Sequence, residues 1–131
     1  MDAMTSVEVK AYVPARDFDL SKRFYQDFGF DLVWTTADLA HFRHRRAGGG
    51  SCGFLLQNCS SMERADYFMM HLLVHDVEAW WRHVRSQEMV EKYGVRAEPP
   101  EDRSWGIRDF IIIDPTGVLW RVGQELPAAP P

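Results

Sequence analysis

Five histidines, two cysteines and five tryptophans are the residues of this chain best suited to hold a metal, a proton or a ligand. His41 and His44 lie in the run His41-Phe42-Arg43-His44-Arg45-Arg46. On a strand, that spacing sends them to opposite faces, which argues against a two-histidine metal site. Cys52 and Cys59 are too few and too far from a CxxC spacing for zinc or redox chemistry, and read as free thiols in or near a strand. His75 and His83 flank or ride a helix and read as surface residues. His71 falls on a strand, two residues beyond Met69 and on the same face. No Ser/His/Asp grouping or close carboxylate pair stands out, so the usual nucleophilic and acid–base constellations are missing. Gly48-Gly49-Gly50 lacks the Lys and helix of a phosphate-cradling loop. The tryptophans offer flat faces that bury much area on a planar molecule at little entropic cost. Trp80 and Trp81 sit on a helical stripe. Trp120 alternates with Leu119 and Arg121, so it packs under a helix if Arg121 faces the other way. Trp34, on a strand after Gly29-Phe30, and Trp105, in the loop before another strand, are the remaining pair, open to core or rim packing as well as to a ligand.

Alternating and helical periods define the elements that must position these groups. Val7, Val9, Ala11 and Val13 against Glu8, Lys10 and Tyr12 predict a two-faced strand over 7–13, ended by Pro14. Asp17 or Asp19 can cap a helix whose stripe is Leu20, Phe24 and Phe28, and Gly29 stops it. Strands are expected over 30–35, 40–45 and 52–58, with a flexible turn at Ala47 to Gly50. A polar linker, Cys59 to Asp66, follows. The order then repeats: a strand over 68–74, an Asp76 cap, a helix carrying Val77, Trp80, Trp81 and Val84, and a short strand over 95–98 before Pro99-Pro100. Strands over 108–113 and 118–122 flank the turn Asp114-Pro115-Thr116-Gly117. The tail from Pro127 reads as loose.

With 131 residues and 46% hydrophobic content, the chain is expected to be a single domain over 1–131 that buries its own core. Its formal net charge of −4 argues against nucleic acid as a partner. No apolar run is long enough to cross a membrane, and the N-terminus lacks a basic region followed by an apolar stretch, so a cytoplasmic protein is the expectation.

The repeated order, with these residues in it, resembles the vicinal oxygen chelate superfamily of glyoxalases, extradiol dioxygenases and antibiotic-resistance proteins. The resemblance rests on Ala15-Arg16-Asp17 with Phe24-Tyr25 and Gly29-Phe30, on Val74 to Trp81, and on Trp105-Gly106-Ile107-Arg108-Asp109-Phe110 leading to Asp114-Pro115-Thr116-Gly117. The last run looks most like the bleomycin-resistance branch. The resemblance implies an α+β fold. Two βαβββ modules, about 5–58 and 67–124, would form a curved mixed sheet with a concave cleft.

In the superfamily's metalloenzymes a divalent ion sits in the cleft, held by a His on the first strand of each half and a Glu on a last strand. Carried over one position at a time, the first ligand falls on Lys10 or Glu8, the second on Met69 with His71 nearby, and the Glu on Arg121. A guanidinium is a fixed cation and cannot ligate a metal. The expectation is therefore no metal cofactor and binding rather than catalysis. An irregular site from Glu8, His71 and Gln57 is the competing idea. In the bleomycin-resistance branch, aromatics matching Trp34 and Trp105 stack on the drug. The resemblance thus implies a ligand site of Trp34, Trp105, His71, Arg121 and Gln57 around a small planar or aromatic molecule. Because Arg121 and Lys10 would face the cleft, that molecule is expected to carry a carbonyl or acidic group rather than many positive charges. Many members of the branch are homodimers, with the cleft made between subunits and the first strand sometimes exchanged. Two readings stay open beside this one: a metal-dependent lyase, transferase or dioxygenase, and a dimeric scaffold without a small ligand.

Overall fold

The computed structural model describes residues 3–46 and 48–128. Ala47, expected to open the glycine turn, and the last three residues of the Pro/Ala tail lie outside the described residues.

Each half of the chain builds a four-stranded mixed sheet. The first contains β1 (Tyr12–Ala15), β2 (Asp31–Thr35), β3 (Leu39–Arg45) and β4 (Ser51–Asn58), ordered β1-β4-β3-β2. The second contains β5 (Met69–Leu73), β6 (Ala97–Asp102), β7 (Ile107–Ile113) and β8 (Leu119–Glu125), ordered β5-β8-β7-β6. In both, the first strand runs parallel to the last and the other pairings are antiparallel. The two sheets match strand for strand, as the repeat predicts, and they are not joined into a closed barrel.

Helix α1 (Phe18–Phe28) begins at Asp17, whose carboxylate accepts the Leu20 N–H at 3.1 Å. It ends at Gly29, whose φ of 124° suits a residue without a Cβ. Its buried face is Phe18, Ser21, Phe24, Tyr25 and Phe28. Helix α2 (Val77–Ser86) is capped the same way by Asp76 on Ala79.

Trp120 decides how the halves join. It is 2% exposed and packs against Tyr25, Phe28, Phe30 and Phe54 of the first half, under α1 rather than α2. Its Nε1–H donates to the Tyr25 hydroxyl at 2.9 Å, and that hydroxyl donates to Asp114 at 2.5 Å. The other Asp114 oxygen accepts the backbone N–H groups of Thr116, Gly117 and Val118, which explains why Asp-Pro-Thr-Gly forms this turn. Trp80 packs on Phe28 and His44, and Trp81 on Phe110. His83 is not a bare surface residue: its Nε2 lies 2.7 Å from the Asp27 carbonyl and ties α2 to the end of α1.

Three expectations need correcting. The first strand starts at Tyr12 and runs through Pro14 to Ala15, while the alternating stretch before it is an exposed arm. The sixth strand passes through Pro99-Pro100 to Asp102, with a register shift between Glu98 and Glu101. An edge strand tolerates prolines there because their missing N–H groups leave no ladder bond unmade. A third helix, α3 (Met89–Tyr93), follows α2.

Candidate functional site

Alternation gives each sheet a core face and an open face. In the second sheet Trp120, Val122, Phe110 and Ile112 point into the core. Arg121, Gly123, Asp109, Ile111, Met69 and His71 therefore share the open face. In the first sheet Phe42, Phe54 and Leu56 are core, and His41, Leu55 and Gln57 lie on the open face.

Trp34 reaches its open face through an irregularity. Leu32 pairs with the buried Phe42, and simple alternation would place Trp34 on that core side too. The register shifts between them, so that Trp34 pairs with His41 instead. One extra residue, Val33, turns the following side chain to the opposite face. Trp34 is left 45% exposed with its ring 5.8 Å from His41. Burial, reinforced by the nearby Lys10 charge, holds the His41 imidazole below its usual range.

Trp105 occupies the turn between β6 and β7. Arg103 accepts the Gly106 N–H on its carbonyl, and Gly106 takes a φ of 87°. The turn presents the indole to solvent at 63% exposure, with the Arg121 guanidinium 5.9 Å from its ring centre. That distance is within reach of a cation–π contact.

Arg121 is not a lone charge on the open face. Its Nη1 lies 3.2 Å from both oxygens of Asp109, a carboxylate only 1% exposed. Arg103 Nε donates to the same carboxylate at 2.8 Å. On the arm before β1, Lys10 is held by Glu8 at 2.7 Å, and this hydrogen bond lowers the Glu8 pKa. Both cations expected to face the cleft thus have an anionic companion within the chain. Asp109 was missed at the sequence level.

His71 stands beside Arg121 in the β5–β8 register. Its ring reaches over Gly123, where an added Cβ would come within 3.1 Å of Nε2. Gln57 is exposed on β4, opposite Leu39. The predicted residues thus form two groups. Trp34 and Gln57 are on the first sheet; Trp105, Arg121 and His71 are on the second. No ring contact joins Trp34 to Trp105 among the described residues.

The donor set does not fit a divalent metal. Arg121 occupies the position of the expected carboxylate and is committed to Asp109, and Glu8 is committed to Lys10. Among the described residues, no three His, Cys, Asp or Glu side chains gather as a metal site requires. Cys52 and Cys59 are free and partly buried.

A cavity of about 900 Å³ lies elsewhere, between the end of the β3–β4 hairpin and β5 with the start of α2. His44, Cys52, His71, Trp80 and Gln124 are on its wall; Trp34, Gln57, Trp105 and Arg121 are not. Strand β1 pairs with β4 only from Leu55 onward, so the Ser51–Phe54 stretch lacks a strand on that side. Trp34 and Trp105 stand instead on the open sheet faces.

The sequence model described as the glyoxalase/bleomycin resistance protein/dioxygenase superfamily matches residues 7–122. The chain belongs to that superfamily. A bleomycin-binding protein solved in complex with bleomycin is 25% identical, with a TM-score of 0.74 over 92% of this chain and 99% of the other. A bleomycin resistance determinant encoded on the transposon Tn5 is 23% identical, with a TM-score of 0.73 over 92% and 98%. A lactoylglutathione lyase from Agrobacterium tumefaciens is 20% identical, with a TM-score of 0.64 over 92% and 95%. No curated protein matches the sequence. These likenesses bear out the glyoxalase/bleomycin-resistance architecture and its two mixed sheets.

Proposed function

We propose that this superfamily member is a metal-independent binding protein of the bleomycin-resistance type, which sequesters a small planar or aromatic molecule without covalent chemistry. The observation that carries the reading is the exposure of Trp34 and Trp105, at 45% and 63%, on open sheet faces next to His41 and Arg121. Large apolar rings presented beside polar groups mark a recognition surface. In the reading, the tryptophans stack on the ligand, and His71, Gln57 and Arg121 orient its polar groups. Arg121 standing where a carboxylate ligand was expected, with no group of three metal-ligating side chains among the described residues, favours binding over metal-assisted catalysis.

The reading includes a homodimer. Each half presents one tryptophan on its own sheet, so a second copy would let the first sheet of one chain face the second sheet of the other. The arm before β1 favours this, since Val7 and Val9 are 102% and 92% exposed. Apolar side chains in an extended segment are stabilised by pairing with a free strand edge, and the Ser51–Phe54 edge offers one.

The test is tryptophan fluorescence and calorimetry on chelator-stripped protein with a panel of planar aromatics and bleomycin. Saturable quenching is expected, weakened at least about tenfold by Trp34→Ala with Trp105→Ala, the usual scale for losing stacked aromatic anchors. A stoichiometric divalent ion whose removal abolishes binding would overturn the metal-free reading. Absence of quenching by every planar probe would overturn the ligand site itself.

A further inference from the structure

The open face of the second sheet carries information about charge that the ligand reading does not use. Asp109 pairs in register with Gly123 on β8, at the centre of that face. A carboxylate buried to 1% exposure is tolerated only if its oxygens are occupied by donors. Arg103 Nε and Arg121 Nη1 supply them, at 2.8 Å and 3.2 Å.

The two guanidiniums are not equivalent. Arg103 is tied twice, since its Nη1 also donates to Glu101 at 3.0 Å. Arg121 commits only Nη1, and its Nε and second amino group have no hydrogen-bond partner among the described residues. Trp105 lies against that guanidinium. His71, beside Arg121, also makes no hydrogen bond among the described residues, and the missing Cβ of Gly123 is what makes room for its ring.

Resting on the binding reading above, we infer that this face recognises the carboxylate or a similar oxyanion of a planar ligand. Trp105 is the shelf for the ring system and Arg121 the anion donor, with His71 at its side. Asp109 and Arg103 are positioning residues that hold the guanidinium in plane. The negative charge of Asp109 is not presented to a ligand, because both its oxygens are occupied and it is shielded from solvent. Glu101 is likewise engaged by Arg103, while Glu125 stands on the same face at the Trp105 end of β8, paired in register with Ile107, and is the acid there that a ligand's anionic group must be held away from by Arg121. A guanidinium whose fork is fixed by a neighbouring carboxylate loses little freedom when it binds an anion. A cationic ligand would instead meet the free edge of Arg121.

Three isosteric planar probes separate the possibilities: naphthoate, neutral naphthamide and cationic naphthamidine, titrated by tryptophan quenching and calorimetry. Naphthoate is expected to bind about tenfold to a hundredfold more tightly than naphthamide, the range of one or two charge-assisted hydrogen bonds. Arg121→Gln should abolish that preference, so that naphthoate binds no more tightly than naphthamide. Arg121→Lys, which keeps the charge but not the fork, should retain part of it. Asp109→Asn should reduce the naphthoate-to-naphthamide ratio, a readout that a merely structural role would not move. Circular dichroism and urea midpoints identify any variant that has not folded, and for such a variant Arg121→Lys carries the test. Equal binding of naphthoate and naphthamide, or tightest binding of naphthamidine, would overturn the anion reading and leave planar binding intact. Binding of none of the three would overturn both.

Discussion

Replacing Tyr25 by Phe should remove the polar joint between the two halves while leaving the packed ring in place. The hydroxyl is fully buried, donates to Asp114 at 2.5 Å and accepts from Trp120 at 2.9 Å. A buried hydrogen bond to a charged partner contributes roughly 1.5–3 kcal/mol, and an indole N–H left buried without an acceptor costs about 1–3 kcal/mol. The two terms overlap, because one group is removed and Asp114 keeps three backbone donors. The expected loss is about 2–4 kcal/mol. In urea, with a slope typical of small domains, the midpoint should fall by about 1–2 M with the slope unchanged. The loss should also depend on pH. Burial raises the Asp114 pKa in the folded protein even though its hydrogen bonds, led by that from Tyr25, pull it down. An acid whose folded pKa is raised folds with more protons bound, so its contribution is favourable below the unfolded value and is lost as pH rises through the folded one. Removing the Tyr25 donor raises that pKa further, so the gap between variant and wild type should narrow on acidification from neutral pH. A destabilisation below about 0.5 kcal/mol, the range of ordinary surface substitutions, would refute the reasoning.

Alkali should act on the tyrosines in a defined direction. Burial, reinforced by the carboxylates of Asp114 and Asp27, raises the Tyr25 and Tyr93 pKa values in the folded state. Their stabilising contribution is therefore whole below about pH 10, the unfolded value, and is lost as pH rises above it toward the folded values. Tyrosinate absorbance followed with circular dichroism should show these two ionising only as the protein unfolds. Gly53→Ala would place a Cβ 2.2 Å from the Phe42 carbonyl oxygen, a backbone atom that cannot move aside. It should cost at least about 3 kcal/mol in a urea titration, at the upper end for overpacking. Val7→Asp with Val9→Asp should lower the mass seen by light scattering to that of one chain without unfolding the core. An unchanged mass at micromolar concentration would separate the arm from assembly.

Much of the architecture was legible because periodicity and caps point the same way. Asp17, Gly29 and Asp76 mark helix ends, and the face of Arg121 follows once Trp120 is assigned to the core. The rest depended on partners distant in sequence. The arm and a paired strand share one alternation, so only the missing pairing partner distinguishes them. The helix at Met89–Tyr93 is short and is entered through Glu88 with a φ of 52°, a left-handed step no propensity signals. Trp34 changes face through a bulge that the sequence gives no reason to place at Val33. Asp109 had a usable signal: alternation puts it on the same face as Arg121 within an apolar strand, where a carboxylate requires a cationic partner.

The central claim is that a planar ligand binds this open face without a metal. Calorimetric titration of naphthoate into chelator-stripped protein, repeated with Trp105→Ala, tests it most directly. The account predicts saturable binding that survives chelation and weakens at least about tenfold without the Trp105 indole. Binding that requires an added divalent ion, or that is unchanged by Trp105→Ala, would contradict it.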